Sequence, residues 1–135
     1  MGRHKSRHKG KTHSTELYEL SMANFLIGAK VINVDENGIL IIKDGTKYFI
    51  SYCDEGSYSD WWEVNTKLLI SKKDLSKNPI ITNVKQNGDK YQFVLFGMYK
   101  PIAEIKAKFH NESDWDYGCT CTIYANKREL VKWYG

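Results

Sequence analysis

Short turn signals between runs of β-branched residues constrain the fold of this chain more than any other feature. Asn37-Gly38 and Asn87-Gly88 tolerate positive φ at both central positions of a type I′ turn, so each predicts a hairpin tip. Asp44-Gly45 adds a further turn soon after the first hairpin. The sequence therefore predicts a three-stranded antiparallel meander, with strands at Lys30–Val34, Ile39–Lys43 and Thr46–Tyr52.

A second meander is predicted around Asn87-Gly88. Its strands are Ile80–Lys85, Tyr91–Met98 and Ile102–Phe109, and the last of these alternates apolar with polar residues, which indicates one wet face. Val31–Gly38 and Ile81–Gly88 also align with each other. This similarity reflects either two related meanders or simply the composition of a chain rich in Asn and Lys.

The C-terminal part is predicted to hold a strand, Thr120–Ala125, and then a short helix. Asn126 with Glu129 three residues later resembles a capping box, which favours a helix start. Further short helices are expected at Ser14–Ala23 and somewhere within Ser59–Asn78. The predicted fold is mainly β (α+β), a single antiparallel sheet or small sandwich of about six or seven strands.

The positive charge of the chain lies in its first thirteen residues. They hold five Lys or Arg, three of the four His and no acid, and the rest of the chain has 15 Lys and Arg against 16 Asp and Glu. We expect residues 1–13 to be a disordered basic tail and residues 14–135 to be a single β-rich domain. The tail is either a solubilising extension or a weak nucleic-acid contact, and Met22 is a candidate second translation start. The nucleic-acid-binding candidates are Arg3, Lys5, Arg7, Lys9 and Lys11.

Composition sets the expected class and compartment. A chain of 135 residues that is 41% apolar suits one domain, and its three Cys, an odd number, argue against a secreted disulfide framework. It has no apolar run long enough for a membrane span and no apolar export segment. We therefore expect a soluble protein of the bacterial cytoplasm that has no membrane partner.

Two segments, Tyr52–Glu63 and Phe109–Gly118, combine aromatic side chains with acids and small hydroxyls. Such surfaces suit a cationic or planar partner, whereas their carboxylates would repel the phosphates of a duplex. Trp61 and Trp62 are adjacent, so at most one of them can be central to a core. The predicted partner-binding residues are Asp54, Tyr58, Asp60, Trp61, Trp62, His110, Asn111, Asp114, Trp115 and Tyr117.

The order of several motifs resembles a family of small phage-borne domains of unknown function. These motifs are Leu26-Ile27-Gly28, Asp44-Gly45, the segment from Asp54 to Trp61, Leu95-Phe96-Gly97 and the segment from Asn111 to Gly118. The whole resemblance covers about Leu26 to Tyr124. It implies a bacteriophage or mobile-element setting and no established activity. Glu55 and Gly56 stand where the family has paired Cys, and Trp115-Asp116 replaces part of its Gly-Tyr close, so no thiol or metal role carries over.

Catalytic and metal sites are the alternatives to a binding surface. Cys53, Cys119, Cys121 and His110 include the residue types that bind zinc, but their spacing matches no zinc finger or ribbon. Cys53 with His110 is a candidate nucleophile and base, and a cleft gathering Asp54, Asp60, His110 and Asp114 would suit acid–base chemistry. We expect no cofactor, no metal and no enzymatic activity. The leading hypothesis is a phage binding protein that engages a host protein or small ligand in counter-defence or host take-over, and the alternative is a nucleic-acid accessory protein acting through its tail.

Overall fold

The prediction of a mainly β fold is confirmed. A computed structural model describes residues 17–56, 60–86, 91–111 and 119–134, and in these ranges nine strands form two antiparallel sheets. The strands are β1 (Lys30–Asp35), β2 (Gly38–Lys43), β3 (Thr46–Gly56), β4 (Asp60–Leu68), β5 (Asn83–Gln86), β6 (Gln92–Phe96), β7 (Pro101–Asn111), β8 (Cys119–Ala125) and β9 (Arg128–Tyr134). Helix α1 covers residues 17–26, and the short helix α2 is Lys72–Leu75.

The first meander forms as predicted, in a sheet of order β1-β2-β3-β8-β9. The turn at Asp44-Gly45 has positive φ at both residues, 50° and 80°, as a type I′ turn requires. The type I′ turn predicted at Asn37-Gly38 is wrong, because Gly38 pairs with Asp35 and so already belongs to β2. Instead, Asp35 Oδ1 accepts a hydrogen bond from Asn37 N at 2.8 Å, the local contact of an Asx turn. The predicted tip at Asn87-Gly88 lies outside the described residues.

The predicted C-terminal helix is wrong, because the chain forms the β8–β9 hairpin there. Ala125 pairs with Arg128, and Asn126 in the turn between them has φ 55°. Asn tolerates this left-handed conformation, and its amide also bonds back to β3 through Phe49 N at 2.9 Å and Lys47 O at 3.1 Å. A turn residue with such contacts cannot act as the N-cap of a helix.

The second sheet has the order β4-β7-β6-β5. Strand β4 lies within Ser59–Asn78, where the sequence predicts only a helix. Together with β9, it explains why the described residues form nine strands where about six or seven are predicted. Residues 60–65 alternate between buried and exposed positions, which is the period of a strand with one wet face. The predicted strand Ile80–Lys85 is split, since Ile80 forms a single bridge to Lys30 and the ladder with β6 begins at Asn83.

The core lies between the two sheets and is rich in aromatic rings. The Trp133 ring of β9 stacks on Phe93 of β6 at 5.6 Å and on Trp62 of β4 at 5.9 Å. Helix α1 packs beside this cluster: Tyr18 meets the Trp133 ring edge-on, and Glu19 Oε2 accepts from Gln86 N at 2.6 Å. The helix thus contacts strands of both sheets. Its described part includes the predicted residues up to Ala23 and continues to residue 26.

Candidate functional site

The described parts of the two aromatic-acidic segments lie at one end of the fold. Gly56, the last residue of β3, pairs with Cys119 at the start of β8 in the first sheet. Asp60, the first residue of β4, pairs with Asn111 at the end of β7 in the second sheet. Both connections between the sheets therefore leave from neighbouring strand ends. We call this end of the fold, which contains Asp54, Asp60, Trp61, Glu63 and His110, the acidic end.

An exposed aromatic pair forms the outer side of the acidic end. Trp61 and His110 are directly opposite each other in the β4–β7 ladder, and their rings stack at 4.1 Å with an interplanar angle of 10°. Trp61 remains 41% exposed. The stack therefore presents a flat indole face at the surface, with its other face covered by the imidazole.

A carboxylate holds this pair in place. Glu63 Oε1 accepts a hydrogen bond from His110 Nε2 at 2.9 Å, and Glu63 Oε2 accepts one from Asn65 Nδ2 at 3.2 Å. The bond from His110, followed by that from Asn65, lowers the pKa of Glu63 below its ordinary value. Trp61, Glu63 and His110 thus share one surface, which carries a planar ring beside a charged carboxylate.

The inner side of the acidic end contains a buried acid. Asp60 is only 2% exposed, and neither of its carboxylate oxygens has a hydrogen-bond partner among the described residues. Asp54 Oδ2 accepts from Trp62 N at 3.3 Å, and Trp62 Nε1 donates to Cys119 O at 3.1 Å. The second of these bonds joins β4 to β8, so it ties the two sheets together beside the predicted loops.

Negative charge predominates at the acidic end. The described carboxylates near this end are those of Asp54, Glu55, Asp60 and Glu63. A cation is also close by, because Lys108 of β7 pairs with Glu63 of β4 in the strand ladder. A body that is almost neutral by composition therefore carries a local excess of negative charge at this end.

The cysteines do not gather with His110. Cys53 is exposed, whereas Cys119 and Cys121 are buried and His110 lies on the second sheet. Burial and the nearby Asp54 raise the pKa of the Cys119 thiol, and the same causes raise that of Cys121 to about 12. Among the described residues, no group of three or more His, Cys, Asp or Glu is placed to hold a metal ion. The two buried thiols are suited to packing and not to nucleophilic attack.

The structure distributes the predicted partner-binding residues unevenly. Trp61 and His110 meet at the surface, whereas Trp62 is 2% exposed and belongs to the core. Asn111 is described through its backbone pairing alone. The residues Tyr58, Asp114, Trp115 and Tyr117, and the tail residues Arg3, Lys5, Arg7, Lys9 and Lys11, lie outside the described part of the chain.

Glu63 was not among the predicted site residues, although a signal for it was present. Trp62, Val64 and Leu68 alternate with Trp61, Glu63 and Lys67, which is the pattern of a strand. A strand would have placed Glu63 on the same face as Trp61. The contact with His110 was not visible in the same way, because it depends on the pairing of β4 with β7.

Comparison with family models, curated proteins and solved structures found no match to this chain. Within the described residues, no helix is both long enough and apolar enough to cross a membrane.

Proposed function

We propose that this chain is a non-enzymatic binding protein whose acidic end engages a cationic group of a protein partner. The observation that carries the proposal is the stacked, half-exposed Trp61–His110 pair with the Glu63 carboxylate bonded to it. Arg is the side chain that best fits such a surface, because its guanidinium is flat and cationic. It can stack on the free indole face while its N–H groups approach a carboxylate.

The preorganisation of the pair favours binding. Glu63 and Trp61 already hold the His110 ring from two directions, so few side chains need to be ordered when a partner arrives. Each immobilised side chain otherwise costs about 0.5–1.5 kcal/mol at an interface. The excess of acids over Lys and Arg around the acidic end would also steer a cationic partner towards it.

Binding is favoured over catalysis by the placement of the acids and His110. Asp60 is buried and His110 lies beside the exposed Trp61, so these two groups occupy opposite faces of the second sheet. A shared acid–base cleft needs both groups within reach of one substrate. A recognition surface needs only Trp61, Glu63 and His110, which are on one face.

The biological setting that we propose is a bacteriophage or mobile element, with a host protein in the bacterial cytoplasm as the partner. The support is the motif order from Leu26-Ile27-Gly28 to Gly118, which resembles small phage-borne domains. Counter-defence or host take-over is the role that such a protein would play there. The basic tail, with Arg3 as its first cation, would add weak and salt-sensitive contact to nucleic acid.

Affinity capture from bacterial lysate tests the proposal. Trp61→Ala should abolish capture of a protein that the wild type retains, or weaken its binding by about tenfold or more, as loss of an aromatic anchor does. Phe49→Ala is the matched control, because Phe49 is 39% exposed, close to the 41% of Trp61, and lies on the first sheet.

Two further variants separate the competing hypotheses. Deletion of residues 1–13 should leave the capture unchanged, whereas the nucleic-acid hypothesis requires loss of binding. Glu63→Gln removes the charge but keeps the shape, so it should weaken capture less than Trp61→Ala does. Equal capture by wild type and Trp61→Ala would overturn the proposal.

A further inference from the structure

A second surface lies at the opposite end of the β4–β7 ladder. Leu68 pairs with Ala103 there, eight residues along β4 from Asp60, which is about 26 Å at the usual rise of a strand. Helix α2 and the β6–β7 turn, residues 97–100, border a cavity of about 430 Å³ at this end. We call this cavity and its rim the basic groove. It has no residue in common with the acidic end.

The walls of the basic groove are largely apolar. Ile70, Pro79, Ile80 and Ile102 line it, together with two residues of the β6–β7 turn, Met98 and Tyr99. Tyr99 is 91% exposed and Met98 is 74% exposed, and Ile80 beside them is also exposed. Three large exposed apolar side chains around one concavity are typical of an interaction site.

The rim of the basic groove is cationic. Lys77 and Lys100 line it, and Lys72 and Lys73 are exposed on the adjacent helix α2. Among the described residues, Asp74 is the one acid that lines the groove. The lining thus carries two lysines against one aspartate, and the exposed Lys72 and Lys73 of α2 add to this positive excess nearby.

Asp74 also joins the two walls of the groove. Its Oδ2 lies 2.8 Å from Lys100 Nζ on the β6–β7 turn, and its Oδ1 lies 4.0 Å from Lys77 Nζ. The contact with Lys100 is the main cause that lowers the pKa of Asp74. The turn itself is closed by a bond from Gly97 N to Lys100 O at 2.9 Å. The groove is therefore formed before any ligand arrives.

We propose that the basic groove docks an acidic segment of another protein. An apolar side chain of that segment would enter the cavity between Ile80 and Tyr99, and flanking Asp or Glu would pair with Lys72, Lys73 and Lys77. Charge complementarity decides the class of occupant, because the exposed Lys72, Lys73 and Lys77 would attract an acidic segment and repel a basic one. The cavity volume falls within the range of small ligand sites and holds one or two side chains.

Selection from a random peptide library displayed against the full chain tests the proposal without assuming a sequence. The same selection is run against a Met98→Ala/Tyr99→Ala variant. Both residues are so exposed that the variant should fold as the wild type does, which circular dichroism checks. Peptides enriched by the wild type alone should carry an apolar residue flanked by Asp or Glu.

The best synthetic peptide is then measured by fluorescence anisotropy. Met98→Ala/Tyr99→Ala should weaken it by about tenfold or more. Lys72→Glu/Lys73→Glu should weaken it by about tenfold at low salt, with a smaller effect at about 0.5 M salt because screening removes long-range attraction. Lys85→Glu/Lys106→Glu is the matched control: it makes the same charge change at two exposed positions on β5 and β7 and should change affinity less than about threefold.

Three results would overturn this proposal. The first is that the wild type enriches no peptide over the Met98→Ala/Tyr99→Ala variant. The second is that the enriched peptides are basic or lack acids. The third is that the groove variant changes the sedimentation of the protein alone, which would identify a second copy as the occupant. None of them bears on Trp61, so the two proposals fail separately.

Discussion

Two buried tryptophans should respond differently to the same substitution, because only one of them has a partner for its indole N–H. Trp62 Nε1 donates to Cys119 O at 3.1 Å, whereas Trp133 Nε1 is buried and has no hydrogen-bond partner in the described part of the chain. Both rings are almost fully buried and stack on each other at 5.9 Å. Replacing either with Phe removes a similar volume from the same aromatic cluster.

The hydrogen-bond balance sets the difference in magnitude. Trp62→Phe removes the buried hydrogen bond and leaves Cys119 O without this donor, which costs about 1–3 kcal/mol in addition to the lost packing. Trp133→Phe removes an unpaired donor and regains about 1–3 kcal/mol of its desolvation penalty. We therefore expect the free energy of unfolding of Trp62→Phe to be lower than that of Trp133→Phe by at least about 2 kcal/mol.

Urea denaturation followed by circular dichroism measures this difference without relying on tryptophan fluorescence. Trp62→Phe should also weaken the junction between β4 and β8 beside the acidic end, so hydrogen exchange of the amides at the start of β4 should become faster than in Trp133→Phe. Equal destabilisation by the two substitutions, or a larger effect of Trp133→Phe, would refute the reasoning.

Two further predictions concern titratable groups. In the native protein at about pH 8, Cys53 alone should react with a thiol reagent, because it is exposed while burial raises the pKa of the other two thiols. Fast modification of all three cysteines would contradict this prediction. The urea-unfolded chain, in which all three should react, is the positive control. The pKa of Glu63 is lowered from 4.5, so its contribution to stability is present above that value and is lost as pH falls through the folded-state pKa. The difference in melting temperature between wild type and Glu63→Gln should therefore be seen at neutral pH and shrink as pH falls below about 4.5, and a difference that does not change between about pH 7 and about pH 2 would argue against the His110–Glu63 contact.

Local signals predicted the first meander well. The β-branched runs around Asp44-Gly45 favour strands, and Gly45 accepts the positive φ that the turn needs, so neighbouring residues carry all the information. Gly38 shows the limit of such signals. It is a glycine because a Cβ would collide with the carbonyl oxygen of Ile50 on β3, and not because it occupies a type I′ turn.

The C-terminal segment shows how a local signal can mislead. Asn126 and Glu129 have the spacing of a capping box, yet the side chain of Asn126 bonds to the backbone of Lys47 and Phe49. These contacts span nearly eighty residues of chain. Tertiary contacts of this kind override weak helical preference, because the hairpin also buries Trp133 against Phe93.

The candidate site was predicted in part. The sequence identified Trp61 and His110 as members of two aromatic-acidic segments, and the adjacency of the two tryptophans implied that one would be buried. It did not indicate which of them. The alternation of side chains along β4 decides this, because Trp62 lies on the buried face with Val64, whereas Trp61 lies on the exposed face with Glu63.

By itself, the sequence determined the β-rich character of the body, most of the strands and the separation of a basic tail from a nearly neutral remainder. These properties depend on residue type and on periods of a few residues. Only the tertiary structure decided that Asp60 and Glu63 lie at one end of the β4–β7 ladder beside Trp61, whereas Lys77 and Lys100 line a groove at the other end beside Tyr99. The physical reason is that β4 pairs with β7, so residues 47 positions apart, such as Glu63 and His110, come into contact through strand register.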